Sequence, residues 1–226
     1  MPYNITYLLY TLPGLALALL AKYFLSSYYN TYSKVPTQTG LTGLDAGKII
    51  ISNENLPISS EVIPGELTDH YDSQRNIVRF SSGNAASSIA GIAIVAHELG
   101  HACQDRDKFG MMSIRTALVP ATNIGSNLGF FLIILGLALQ FSGLATLGLI
   151  LFSLTFIFTL VTLPVEFNAS KRGIDMIKKY NLLTPDEIPG AKKVLMAAAF
   201  TYVAATVTSL GQVLYYVMML SGKSKD

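Results

Sequence analysis

Four apolar runs constrain this chain more than any other feature: residues 5–25, 117–139, 144–163 and 196–220. A helix needs about 20 such residues to cross a hydrocarbon core, at about 1.5 Å per residue. Charged residues make up 13% of the chain, against about 25% in an ordinary soluble protein, and mean hydropathy is +0.45. The expected architecture is therefore a mainly α membrane protein with about four transmembrane helices. What remains between the runs suffices for only a small α+β part, so residues 1–226 are read as a single domain.

The first run follows an N-terminus without Lys or Arg, and no small-residue cleavage site comes after it, so we expect an uncleaved anchor rather than a signal peptide. Ser26 to Tyr32 is a tyrosine-rich exit suited to a membrane interface. Residues 33–115 form the polar segment. Within it we expect a short helix over Gly40 to Asn53 (Ile49 to Ile51 also suit a strand) and a strand over Ile58 to Ile63, closed by Pro64-Gly65. Leu67 to Tyr71 and Asn76 to Ser81 read as a hairpin, followed by a long helix from about Ala86 to Arg106 that Gly110 stops. The second and third runs are joined only by Gln140 to Gly143, a tight, uncharged turn. After Pro164 an amphipathic helix and a loop fill residues 164–195, ahead of the last run.

Charge orients these pieces. The N-terminus and the 140–143 turn carry no Lys or Arg side chain, whereas residues 26–116 and 165–195 carry Lys34, Lys48, Arg75, Arg79, Arg106, Lys108 and Arg115 in the one and Lys171, Arg172, Lys178, Lys179, Lys192 and Lys193 in the other. The positive-inside rule makes both polar segments cytoplasmic and turns the hairpin outward. Lys223 and Lys225 oppose this if the last run crosses completely. No basic run is long enough for a nucleic-acid surface. One cysteine, Cys103, excludes an internal disulfide framework and reads as a plain buried thiol.

The chemistry lies in Ala96-His97-Glu98-Leu99-Gly100-His101. On a helix, residues four apart share a face, so His97 and His101 can present nitrogens to one Zn2+, with Glu98 beside them as a base toward water. A catalytic zinc takes three protein ligands. The metzincin third histidine is excluded, because Asp107 stands at its position and no histidine follows. Two candidates remain. Glu166, which begins a helix after the third run, is the better placed, while His70, between Asp69 and Asp72, suits a third ligand, a hydrogen-bond donor in the active site or a plain turn histidine. Glu187, beside Pro185 and Pro189, reads as a solvated loop charge.

H-E-L-G-H, followed after two membrane runs by Leu163-Pro164-Val165-Glu166-Phe167-Asn168-Ala169-Ser170, resembles the neutral zinc metallopeptidase family of YugP-like bacterial membrane proteins. Leu67-Thr68-Asp69-His70-Tyr71-Asp72 and Val78-Arg79-Phe80-Ser81 are similar to that family's pattern as well, so the resemblance covers nearly the whole chain. It implies a zincin-like, gluzincin-type site holding one Zn2+ per chain on His97, His101 and Glu166, with Glu98 as catalytic base; His70 keeps its open reading. A more distant group, the CAAX-prenyl-protease-like and heat-shock peptidases, carries E-x-E-A-D-x-x-G. Here Asn168 and Ser170 replace two of its acids, the second of which orients a ligand histidine in that group.

The expected function is zinc-dependent hydrolysis of peptide bonds near the cytoplasmic membrane surface, with membrane-associated polypeptides as substrates and the bilayer as the other partner. An inactive metal-binding membrane adaptor is the alternative. A site-2-type intramembrane protease fits less well, because the uninterrupted apolar run before His97 extends only from Ile89 to Ala96 and no L-D-G follows.

Overall fold

The structure, a computed structural model, describes residues 2–223. Among them the order is α1 (Pro2–Tyr32), α2 (Gly43–Asn53), β1 (Ser59–Ile63), β2 (His70–Asp72), β3 (Ile77–Ser81), a 3-10 turn at Ser82–Ala85, α3 (Ile89–Arg106), α4 (Gly110–Ala138), α5 (Ser142–Phe152), α6 (Leu154–Lys179) and α7 (Ile188–Lys223). The protein is mainly α and membrane-type. Four of the described stretches are long and apolar enough to cross a bilayer: Ile5–Tyr32, Gly110–Ala138, Ser142–Lys179 and Ile188–Ser221. Lys225, part of the expected charge conflict, lies outside the described residues.

Three boundaries differ from expectation. The Ser26 to Tyr32 exit is the last part of α1. Gly110 does not stop α3 but opens α4, and α3 ends on a Schellman turn instead. In that turn Lys108 takes a left-handed φ of 52°, while Phe109 N–H reaches Gln104 O at 2.8 Å and Lys108 N–H reaches Asp105 O at 3.0 Å. Finally, α6 runs through Pro164, so residues 164–179 continue the membrane run and Glu166 lies mid-helix rather than at a helix start. Neighbouring helices at membrane depth can re-satisfy the carbonyl that a proline frees.

The chain divides into two compact units. One comprises Met1–Ala21, Ser113–Leu163 and Thr201–Asp226, the other Lys22–Met112 and Pro164–Phe200. In the first unit small residues let helices meet backbone to backbone. A methyl group on Gly129 would fall 2.5 Å from Phe152 N and 2.7 Å from Gly148 O, and one on Gly136 would collide with the Ala145 backbone. Without a hydrophobic force between helices in lipid, such close approach is what dispersion requires. Tyr7 meets Tyr215 edge-on at 5.0 Å, and the hydroxyls of Thr159 and Ser209 pair at 3.0 Å.

The second unit is organised around α3. Ser88 caps its start by accepting from Gly91 N–H at 3.0 Å, and the helix is buried along most of its length. Ile92, Val95 and Leu99 are fully buried in a core shared with Ile50 of α2, Val78 and Phe80 of β3, and Ile177 of α6. The helix expected over Gly40 to Asn53 forms over Gly43–Asn53, started there because Thr42 and Asp45 form a capping box, each side chain accepting the other's backbone N–H at 3.1 Å. The sheet order is β1-β3-β2, with β1 parallel and β2 antiparallel to β3. The expected hairpin is therefore present, and β2 keeps one edge free of strand partners among the described residues.

Candidate metal centre

His97 and His101 stand one turn apart on α3, their rings edge to face with centroids 4.8 Å apart. Glu166 of α6 meets them. Its Oε2 lies 3.3 Å from His97 Nε2 and 3.7 Å from His101 Nε2. The nearest ligand atoms of the three residues all fall within 4.8 Å of one another. A carboxylate exposed to only 1%, set against two imidazole nitrogens, is the donor set that a zinc ion takes, and the charge of a dication would compensate its burial. The residues fit the metal.

The helix crossing explains how Glu166 arrives there. A methyl group on Gly100 would lie 2.5 Å from Ala169 O, and one on Gly173 would lie 3.1 Å from the Ala96 backbone. Two glycines, one per helix, thus let α3 and α6 touch main chain to main chain. Ala169 is three residues beyond Glu166, so the contact puts the carboxylate one turn away, level with the histidines.

Each histidine is held through its other nitrogen. His97 Nδ1 is 3.1 Å from Ser170 Oγ, the position at which the distant peptidase group carries an acid. His101 Nδ1 is 2.9 Å from Gln104 Oε1. Gln104 is fully buried and donates from Nε2 to Val165 O at 2.7 Å and to Asn168 Oδ1 at 3.0 Å. Burial pulls the His101 pKa down, but the nearby Glu166 and Glu98 carboxylates outweigh it, and the net direction is up.

Glu98 is turned toward β2, where its Oε2 accepts Tyr71 N–H at 3.0 Å. Burial pushes its carboxyl pKa up, against the pull of His97 and His101. The strand that holds Glu98 is itself pinned. Asp69, just before β2, accepts from Ser81 N at 2.8 Å, Ser81 Oγ at 2.6 Å and Asn84 Nδ2 at 2.7 Å. The Tyr71 hydroxyl donates to Asp105 Oδ2 at 2.9 Å, near the end of α3.

His70 is not in this cluster. Strand alternation is the reason. His70 pairs with Arg79 and Tyr71 with Val78; Val78 faces the core, so His70 and Arg79 share the opposite face. His70 is exposed there, Nδ1 at 2.9 Å from Thr68 O and Nε2 at 3.2 Å from Arg79, and not bonded to its flanking aspartates as the turn reading expects. Arg79 pairs in turn with Glu61 and Asp72. Glu187 corrects a further expectation. It is buried rather than solvated, accepting from Gln38 N at 2.7 Å and Thr184 N at 2.8 Å, and it takes no part in the metal cluster. Cys103 is a buried free thiol, as expected. Sequence reasoning missed Gln104 and Tyr71. A glutamine three positions after a candidate ligand histidine on a buried helix face was the available signal for the first; a backbone N–H leaves none for the second.

The family model described as "Putative neutral zinc metallopeptidase" matches residues 7–221. "Putative membrane protease YugP" of Bacillus subtilis (strain 168) is 38% identical to the chain over 219 residues, 96% of this chain and 97% of that protein. No solved structure matches the chain significantly.

Proposed function

The chain belongs to the neutral zinc metallopeptidase family, and from that premise we propose that it is a membrane-bound zinc metalloendopeptidase with Glu98 as its general base. The observation that carries this reading is the meeting of His97, His101 and Glu166 within 4.8 Å, one residue from a carboxylate that points to a strand edge. Those three residues would hold one zinc ion. When bound, zinc supplies Lewis acidity, which acidifies water and polarises a carbonyl.

The protein's own groups do the rest. Glu98 Oε1, the oxygen not engaged by Tyr71, takes the proton from the attacking water and returns it to the leaving amine. Tyr71 N–H fixes the other oxygen. Because that N–H points away from β3, the outer edge of β2 runs alongside Glu98, and an extended substrate segment can add as a further strand through the edge groups that Glu98 leaves free. Gln104 and Ser170 hold the histidine rings in place.

Position along the chain supports membrane-associated polypeptides as substrates. Glu166 follows the apolar run 144–163 directly, and α4 opens at Gly110, just past α3. The charge bias of residues 26–116 and 165–195 supports a cytoplasmic site.

The test is proteolysis and zinc content of the purified full chain. We expect about one zinc per chain, abolished cleavage with retained zinc in Glu98→Gln, and loss of both in Glu166→Ala. Cleavage by Glu98→Gln would sink the mechanism. Zinc without cleavage in the unsubstituted protein, across a panel of membrane-derived peptides, would favour the adaptor.

A further inference from the structure

The second unit has a groove of about 420 Å³ between α6 and α7. Its floor is Ile174, Leu195 and Ala199, all buried, and its lips are two large apolar side chains in the open, Phe167 at 51% and Met196 at 72% exposure. Lys171, Lys178 and Lys192 also line it, opposed by Asp175 alone. Three ammonium groups face one carboxylate.

These lysines are uncommitted. Their neighbours on α6 have acidic partners: Arg172 is paired with Asp107 and Lys179 with Glu54 at 2.8 Å. Among the described residues, Lys171, Lys178 and Lys192 show no ion pair. The exposed apolar lips and the lysines are also ordered along the chain. Phe167 follows the apolar run 144–163 closely, and Met196 and Ala199 open the run 196–220, whereas the lysines lie farther from both. Apolar contact toward the runs and positive charge beyond them is the pattern of a headgroup-binding site between membrane helices. Both walls are helices whose backbone groups bond within the helix, so the groove offers no strand edge to a peptide.

We propose that this groove binds one anionic phospholipid, its phosphate between Lys171, Lys178 and Lys192 and an acyl chain over Phe167 and Met196. The lipid then packs beside Ser170, which lines the groove and contacts His97 Nδ1 at 3.1 Å. This reading stands independently of whether the protein cleaves peptides.

The test is native mass spectrometry of the full chain released from detergent with phosphatidylglycerol or phosphatidylcholine. One phosphatidylglycerol should be retained in preference to phosphatidylcholine. Substituting glutamine for Lys171, Lys178 and Lys192 together should weaken that retention at least about tenfold, while glutamine at Lys34, Lys48 and Lys108, an equal change of charge elsewhere, should leave it unchanged. Photoactivatable phosphatidylglycerol should crosslink the unsubstituted protein at peptides containing Phe167 or Met196, a readout independent of how the variants fold. Equal loss in both triple variants, equal retention of the two lipids, or crosslinks only elsewhere would overturn the proposal. Displacement by millimolar inorganic phosphate would reduce the groove to a bare anion site, and displacement by a soluble acidic peptide would assign it to polypeptides; either result also overturns it.

Discussion

A backbone carbonyl can only accept, so the 2.7 Å contact between Gln104 Nε2 and Val165 O settles which way round the Gln104 amide sits. Its Oε1 must then face His101 Nδ1, which has to carry the hydrogen, so in the neutral ring the lone pair falls on Nε2, the nitrogen on the side of Glu166. Gln104 thereby selects the tautomer that can bind a metal, using a carbonyl next to Glu166 in sequence. Replacing it with Met keeps the volume but removes all three of its hydrogen bonds, to His101, Val165 and Asn168. We expect Gln104→Met to weaken zinc binding by about 10–100-fold, measured by competition with a chromophoric chelator, while the isolated protein keeps its helical circular dichroism. Unchanged affinity would remove Gln104 from the site. At this scale legibility followed locality. His97, Glu98 and His101 were readable because a single helix turn brings them together. The side of the sheet His70 occupies depends on the register of β2 against β3, which residue identity does not carry.

Between elements, the main constraint is the α3–α6 crossing. Both partners at Gly100 are main chain, so neither can rotate out of the way of a methyl group that would stand 2.5 Å from Ala169 O. Although alanine is the better helix former by about 1 kcal/mol, we expect Gly100→Ala to destabilise the protein by about 1–3 kcal/mol and to move Glu166 off the histidines. The checks are a lower melting temperature and reduced zinc content, and a variant that melts higher would refute the crossing. A second tie joins three helix ends. Glu54, the residue closing α2, receives Lys179 Nζ at 2.8 Å and the Tyr180 hydroxyl at 2.6 Å from the end of α6, and Arg106 at 3.1 Å from the end of α3. The Lys179 and Tyr180 hydrogen bonds, with Arg106, hold its carboxyl at about 2, below its ordinary 4.5. A depressed carboxyl stabilises the fold above its unfolded pKa and loses that contribution as pH falls through the folded one. Glu54→Gln should therefore melt lower than the unsubstituted protein at pH 7, by the equivalent of about 1–2 kcal/mol after solvent screening, and the gap should close between pH 4.5 and about 2. A gap independent of pH would show that packing, not ionisation, is responsible. Element boundaries were harder to read than element types. Pro164 looks like a helix break in a single sequence, yet α6 carries it because helix ends are decided by tertiary packing and depth as much as by the proline ring.

Across the whole molecule, the four apolar runs made the class of fold readable, since burying 20 backbone groups in lipid admits so few conformations. The two units were not readable, because long helices α1, α4, α6 and α7 each contribute residues to both, and no linker composition marks where one ends. Orientation is the remaining property that charge can decide. Transfer of Lys and Arg across the bilayer is disfavoured, and the basic side chains concentrate in residues 26–116 and 165–195 while the turn before α5 has none. The native thiol, Cys103, is buried at 2% exposure, so the chain is nearly silent toward a membrane-impermeant maleimide without further substitution. Ser142, at the exposed start of α5, and Gln74, in the exposed β2–β3 turn, then serve as reporters. In whole bacterial cells with the outer envelope made permeable, Ser142→Cys should label directly. Gln74→Cys should label only once the inner membrane is opened, and Glu98 and the candidate metal ligands, on the same unit as Gln74, would face the cytoplasm with it. The opposite labelling pattern would turn the site outward. The membrane-associated segments it could reach would then be those exposed on the far side of the bilayer.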